Sequence, residues 1–122
     1  MEYMVLIYRD EADAPEYGSA EWETMMAGFL AFNQRLIDGG HWIAGGGLQT
    51  TTSATTVRLA AGVLPKVLDG PYAETKEQLG GFYLVRAESL DDVLELAKGL
   101  PIEGVIEVRP LTYRPTGEHT DR

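Results

Sequence analysis

The sequence contains no cysteine, which excludes disulfides, thiolate zinc sites and a cysteine nucleophile. It contains only two histidines: His41 follows a predicted helix, and His119 lies in a polar C-terminal tail. Two histidines so placed are not expected to bind a transition metal, and a haem would have to take His41 as its axial ligand. We therefore expect neither a metal nor another cofactor.

Basic residues are also scarce, since ten lysines and arginines stand against nineteen acids and leave a formal net charge of −9. Such a surface repels phosphate backbones and anionic lipids, so neither nucleic acid nor a membrane is an expected partner. No apolar run approaches the length of a membrane span, and the first residues lack the basic start of a signal peptide. At 122 residues the chain has the size of one domain, which we expect in the cytoplasm.

Apolar strands and two amphipathic helices make up most of the sequence. Residues 2–9 and 79–86 are apolar in both alternating sets, which predicts strands that are covered on both faces. Residues 19–38 predict a helix with Ser19 as its N-cap, and a second helix begins after Ser89. The first helix has a broad apolar face: Trp22, Met25, Met26, Phe29, Leu30, Phe32, Leu36 and Ile37.

The order of these elements predicts an α+β fold. Residues 55–68 form a predicted hairpin and residues 104–111 the last strand, which gives β-α-β-β-β-α-β, with a domain over residues 1–111 and a polar tail over 112–122. Two helices can cover only one face of such a sheet. We therefore predict a ferredoxin-like sheet whose second face is covered by another copy in a homodimer.

The densest group of polar residues lies between Asp69 and Glu77. Asp69, Gly70 and Pro71 predict a turn, and five ionisable side chains follow one another closely: Asp69, Tyr72, Glu74, Lys76 and Glu77. They could relay a proton or hold a polar ligand, and the alternative is a solvated turn with an exposed helical stub. On such a stub Glu74 and Glu77 would share a face, while Asp69 would hold the turn.

Other candidates are single residues near strands or helix ends. His41 is either a catalytic base or a helix-end histidine with a local hydrogen bond. Glu107 and Arg109 share a face of the last strand, where they form an ion pair or contact a ligand. Arg58 and Arg9 also lie in strands and need acceptors. If these arginines face a cavity between two sheets, the pocket suits a small anionic or zwitterionic ligand.

Three glycines and one amide complete the candidates. Gly45, Gly46 and Gly47 follow a helix instead of opening one, so they indicate close backbone packing or a mobile rim, not a phosphate cradle. Asn33 falls within the apolar helix face, where a hydrogen-bonded structural amide is the expected role.

The segment Asp69-Gly70-Pro71-Tyr72-Ala73-Glu74-Thr75-Lys76-Glu77, followed by Leu79-Gly80-Gly81-Phe82-Tyr83, resembles the signature of the DGPF-motif branch of the YCII-related family. Residues 3–8 and 106–110 resemble that family too, and Tyr72 stands where the motif's name has phenylalanine. The resemblance implies a dimeric α+β barrel, and a regulatory role, because some members are encoded beside extracytoplasmic-function sigma factors. The plainer YCII branch has a histidine–aspartate dyad, but residues 25–28 here contain no histidine, so that dyad is not carried over.

We therefore expect a small-ligand-binding or regulatory module, with a sigma factor or another transcription regulator as a candidate partner. The expected ligand contacts are Tyr72, Glu74, Lys76, Glu77, Arg58, Glu107 and Arg109. The alternative is a cofactor-free acid–base enzyme that acts on a polar metabolite in the dimer cavity, with Asp69, Glu74, Glu77 or His41 as the proton-transfer group. The sequence shows no nucleophile with an adjacent base, which favours the module.

Overall fold

The computed structural model describes residues 1–117; His119 and the end of the predicted tail lie outside the described residues. Six strands and two α-helices follow one another in this order: β1 (Glu2–Asp10), α1 (Ala20–Asp38), β2 (Trp42–Gly47), β3 (Thr55–Arg58), β4 (Lys66–Asp69), β5 (Glu77–Arg86), α2 (Leu90–Ala97) and β6 (Val105–Pro110). Neither helix is long and apolar enough to cross a membrane, as far as the described residues extend.

Four of the strands form the main sheet, in the order β2-β5-β1-β6, with every neighbouring pair antiparallel. With α1 after β1 and α2 after β5, this arrangement is ferredoxin-like, as predicted. The predicted element order was incomplete, however, because it treated residues 42–47 as a glycine-rich loop. This segment is β2, the edge strand that pairs with β5.

The core lies between the two helices and one face of the sheet. Strand alternation directs every second side chain of β1 and β5 to that face, where it meets the buried residues of α1 and α2. The buried cluster comprises Tyr3, Val5, Ile7, Phe32, Leu36, Tyr83, Val85, Ala87 and Val93. Since cysteine is absent, this cluster, and not a disulfide, holds the helices on the sheet.

Helix α1 begins where it was predicted, because the Ser19 hydroxyl accepts a hydrogen bond from the Trp22 amide at 3.1 Å. Its apolar face is narrower than predicted: Leu30 and Ile37 are 66% and 51% exposed. At 100° per residue they lie roughly 160° and 140° around the helix from the buried Phe32. The helix therefore packs on the sheet through one stripe, and Leu30 and Ile37, which the sequence placed on the apolar face, lie outside that stripe.

The other face of the sheet, which we call the open face, carries the alternate side chains of β1 and β5. Met4, Leu6, Phe82 and Leu84 lie there, all half-buried among their strand neighbours. Neither helix covers this face, because both pack on the opposite one. Its rim includes Glu2, which accepts from Arg86 at 3.2 Å and from Arg114 at 2.9 Å, and the bond from Arg114 is the main cause that lowers the pKa of Glu2.

Strands β3 and β4 form a separate two-stranded sheet, the hairpin arm (residues 55–69). The arm confirms the predicted hairpin, but it does not join the main sheet. Its base is fixed by the Gly70 amide, which donates to the Ala54 carbonyl at 2.8 Å. Most of its apolar side chains are exposed, and Leu64 near the tip is 92% exposed.

Candidate functional site

A cavity of about 400 Å³ lies beneath α1, between that helix and the end of the sheet where β1 finishes. Met25, Met26 and Phe29 of α1 form its roof, and Trp42 forms part of one wall. Its lining is mostly apolar, with a few polar side chains that converge on it. A concave site of this kind and size is typical of small-molecule pockets in proteins.

Glycines form the floor of this cavity. Gly45, Gly46 and Gly47 of β2 lie beside Gly80 and Gly81 of β5. A Cβ atom on Gly45 would come within 2.8 Å of the Tyr83 ring, and one on Gly81 within 3.0 Å of the Gly46 carbonyl. A Cβ atom on Gly47 would meet nothing within 4 Å. Gly45 therefore makes room for the Tyr83 ring and Gly81 for the Gly46 carbonyl, whereas Gly47 leaves empty space above the floor.

Asn33 and Tyr83 supply one pair of polar groups in the cavity. The Tyr83 hydroxyl donates to Asn33 Oδ1 at 2.5 Å. The Tyr83 ring packs edge-on against Phe32 and Trp42, with centroids 5.1 Å and 6.0 Å away. Burial raises the pKa of Tyr83. The structural role predicted for Asn33 is confirmed for its carbonyl oxygen, and its Nδ2 has no hydrogen bond among residues 1–117.

Arg9, near the end of β1, places its guanidinium at the cavity. Nη1 donates to the sulfur of Met25 at 3.2 Å. Nε is inaccessible to solvent and has no hydrogen-bond partner within the described chain. None of the ion pairs formed by the described residues includes Arg9. This side chain is therefore a cation with an unused donor.

Glu11 lies at the mouth of the same cavity and holds the loop that follows β2. Its carboxylate accepts from the Thr51 amide at 2.9 Å and from the Thr51 hydroxyl at 2.6 Å. The neighbouring residues Leu48 and Thr50 also line the cavity. Both oxygens of the Glu11 carboxylate therefore bind the loop, and Glu11 forms no ion pair with Arg9 within the described residues.

The residues predicted around Asp69 lie elsewhere. Asp69 ends the hairpin arm opposite Thr55, and Tyr72, Glu74, Lys76 and Glu77 are all exposed; none of the five lines the cavity. The predicted helical stub is wrong, since residues 70–76 are irregular and Glu77 already begins β5 opposite Asp10. The Gln78 side chain donates to the carbonyls of Ala73 and Thr75, which holds this coil in place.

His41 and Arg58 are also outside the cavity. His41 Nδ1 donates to the Arg86 carbonyl at 2.8 Å, which is the local hydrogen bond weighed as an alternative to a catalytic base. Arg58 lies on the hairpin arm, directly opposite Lys66.

Glu107 and Arg109 do meet, on the open face of the sheet. Arg109 Nη2 lies 2.7 Å from Glu107 Oε2, and the Tyr8 hydroxyl donates to Glu107 Oε1 at 3.2 Å. The bond from Arg109 lowers the pKa of Glu107, whereas desolvation and then Glu107 raise the pKa of Tyr8. The in-sheet ion pair that was weighed for these residues is present.

Comparison with known proteins gives three findings. The family described as the YCII-related domain matches residues 1–113. An uncharacterized protein of Rhizobium meliloti (strain 1021) is 41% identical over 122 residues, which covers 97% of this chain and 98% of that protein. The 5-chloro-2-hydroxyhydroquinone dehydrochlorinase of Burkholderia phenoliruptrix, solved in complex with 2,5-dihydroxybenzoquinone, has 17% identity and a TM-score of 0.48, with 93% of this chain and 96% of that chain covered.

Proposed function

This chain belongs to the YCII-related family, and from that premise we propose that it is a small-molecule-binding module whose site is the cavity beneath α1. The family predicted from the resemblance is thereby confirmed, while its DGPF-motif branch stays a prediction. The observation that carries the proposal is the glycine floor, which keeps about 400 Å³ open under an apolar roof. Binding of an apolar molecule to a cavity lined by apolar side chains is favourable, because the ligand and the lining both leave contact with water. The few polar groups of the lining can then orient the ligand.

Gly47 offers a direct test, because a side chain there would project into the empty space above the floor. We expect wild-type protein to enhance the fluorescence of the neutral probe N-phenyl-1-naphthylamine and Gly47→Val to lose that enhancement. Ala44→Val is the matched control, since Ala44 pairs with Leu84 on the open face of the same strand. Both variants should keep the wild-type circular dichroism spectrum. Undiminished binding by a folded Gly47→Val protein would contradict this location of the site.

The segment around Asp69 stays a predicted ligand site that the same titration can address. Glu74 and Glu77 are exposed, so Glu74→Gln combined with Glu77→Gln should leave binding to the cavity unchanged. If this double variant loses the probe and Gly47→Val retains it, the site lies at the motif and not beneath α1.

The alternative function is an acid–base enzyme with Asp69, Glu74, Glu77 or His41 as the proton-transfer group. It is less well supported, because the three acids are exposed, His41 Nδ1 is hydrogen-bonded to the Arg86 carbonyl, and none of the four lines the cavity beneath α1. The cluster of Tyr8, Glu107 and Arg109 contains titratable groups with shifted pKa values, but the shifts run in the wrong direction for proton transfer at neutral pH. The pKa of Glu107 is lowered and that of Tyr8 is raised, so the carboxylate holds no proton and the phenol keeps its own. The module therefore remains the better proposal.

We also propose that the open face is covered by the same face of a second copy. Met4, Leu6, Phe82 and Leu84 give it an apolar centre. The charged residues beside this centre are two acids and two arginines, Glu2, Glu107, Arg86 and Arg109, and these four charges cancel. Two more acids of the same face, Asp10 and Glu77, pair at the end where β1 finishes, away from the apolar centre. The repulsion expected from the net charge of −9 is therefore weakest at the centre of this face. An association with a sigma factor stays an expectation from the family resemblance.

A further inference from the structure

We propose that the ligand of the cavity beneath α1 is a flat, mostly apolar molecule with a single carboxylate, and that Arg9 binds this carboxylate. The inference rests on the proposed binding function and adds the chemical class of the ligand. It starts from Arg9, which borders the cavity and has no carboxylate partner within residues 1–117.

The other arginines show which partners a guanidinium of this chain normally has. Arg86, Arg109 and Arg114 each lie within 3.2 Å of a carboxylate oxygen, and Arg35 lies over the ring of Phe32. Arg58 is exposed to solvent. Among the described residues Arg9 has only the weak sulfur acceptor of Met25, which Nη1 contacts, and Nη2 forms no hydrogen bond. Nε is out of reach of solvent and therefore of a ligand in the cavity, so a ligand can meet only the Nη end of the guanidinium. A carboxylate that pairs with this otherwise unpaired cation forms charge-assisted hydrogen bonds.

The shape and the surroundings of the guanidinium favour a carboxylate with one charge. Its planar fork matches the two oxygens of a carboxylate. Glu11 borders the same cavity, and Asp13, Glu21 and Glu103 border the adjoining groove with Arg9. None of these acids forms an ion pair with Arg9 within the described residues, but their negative charges oppose a second charge on the ligand. A phosphate dianion is therefore disfavoured.

The remaining lining defines the body of the ligand. Its floor is bare glycine backbone, and its roof and wall are apolar side chains such as Phe29, Met26 and Trp42. A flat ring system fits between such surfaces and can stack on the aromatic wall. The free Nδ2 of Asn33 is a further donor that borders the cavity, suited to a neutral oxygen of the ligand.

A matched pair of probes, 2-naphthoate and 2-naphthamide, isolates the charge because the two molecules differ only in carboxylate and amide. We expect calorimetric titration of the full-length wild-type protein to show at least 10-fold tighter binding of the naphthoate, and 2-naphthyl phosphate to bind more weakly than the naphthoate. Arg9→Met keeps much of the apolar stem and should bring naphthoate and naphthamide to equal affinity. Arg58→Met, an arginine removed from the hairpin arm, should leave the 10-fold preference intact.

The outcomes separate this inference from the binding function itself. If wild-type protein binds naphthamide as tightly as naphthoate, or binds only N-phenyl-1-naphthylamine, the carboxylate assignment is overturned while the cavity still binds small molecules. If none of these probes binds, the proposed function fails with it. Should Arg9→Met not fold, Arg9→Lys retains the charge without the fork and should show a preference reduced several-fold. An unchanged preference in Arg9→Lys, or in a folded Arg9→Met protein, would exclude the guanidinium fork as the binding group.

Discussion

Replacing Tyr83 with phenylalanine removes one hydroxyl and leaves the packed ring in place. Tyr83 is 6% exposed, and its hydroxyl donates its hydrogen to Asn33 Oδ1 at 2.5 Å. The aromatic contacts with Phe32 and Trp42 do not involve the hydroxyl. The variant therefore measures one hydrogen bond together with the ionisation of one phenol.

The expected loss at neutral pH is about 1 kcal/mol in the free energy of unfolding, the net value of a typical hydrogen bond. A larger loss is not expected, because Asn33 borders the cavity and water can reach the oxygen that loses its donor. With a urea m-value of roughly 1–2 kcal/mol/M, the midpoint should fall by roughly 0.5–1 M.

The difference should shrink at high pH. Burial raises the pKa of Tyr83 in the folded chain, while the unfolded chain ionises near the ordinary value of about 10. Above about pH 10 the unfolded state therefore binds fewer protons than the folded state, and the free energy of unfolding of the wild type falls as pH rises. Tyr83→Phe lacks this contribution, so its deficit relative to wild type narrows.

Urea unfolding at pH 7 and at about pH 11 tests both parts. Tyr72→Phe is the control, because Tyr72 is 81% exposed and has no hydrogen bond within the described residues; it should match wild type at both pH values. A Tyr83→Phe protein as stable as wild type at pH 7, or with a deficit that does not change with pH, would refute the reasoning.

Two further predictions concern the helix phase and the oligomer. Leu36→Ala should lower the free energy of unfolding by about 2–5 kcal/mol, because Leu36 is 1% exposed. Ile37 is half-exposed, so Ile37→Ala should lower it by less than about 1 kcal/mol. Equal losses in urea unfolding would mean that α1 presents a different face to the sheet. Light scattering at micromolar concentration should give about twice 13.4 kDa, and Leu6→Glu on the open face should give the monomer mass with an unchanged circular dichroism spectrum. A wild-type monomer under these conditions would contradict the proposed dimer.

Local patterns predicted the elements whose side chains show a clear period. β1 and α1 were recognisable because their signals lie within a few neighbouring residues: an apolar strand sequence for β1, and an apolar helical spacing with a serine N-cap for α1. β2 was not, because Gly45, Gly46 and Gly47 have no side chains with which to alternate. Its strand conformation follows from pairing with β5, and Gly45 is required by a contact with Tyr83, 38 positions further along the chain.

The candidate site was harder to predict, because ionisable residues that are close together in the sequence need not point to one place in the fold. The ionisable residues from Asp69 to Glu77 are neighbours in sequence, yet an irregular coil and the start of β5 leave them exposed. Arg9 was recognisable as a strand arginine in need of an acceptor, but only the fold shows that α1 covers it and that its Nε lacks a partner. The glycines on two paired strands beside a large aromatic residue were the available signal for the cavity.

The hairpin arm has a consequence for how this chain can change in length. The backbone leaves and re-enters the body at Ala54 and Gly70, whose carbonyl and amide are hydrogen-bonded at 2.8 Å, and neither arm strand pairs with the main sheet. Insertions and deletions between these two points therefore leave the ladder of β2, β5, β1 and β6 untouched. The chain reverses in an exposed turn at Gly62, which has a φ of 77°. This turn is therefore the place where a foreign peptide or a second domain can be inserted into the fold.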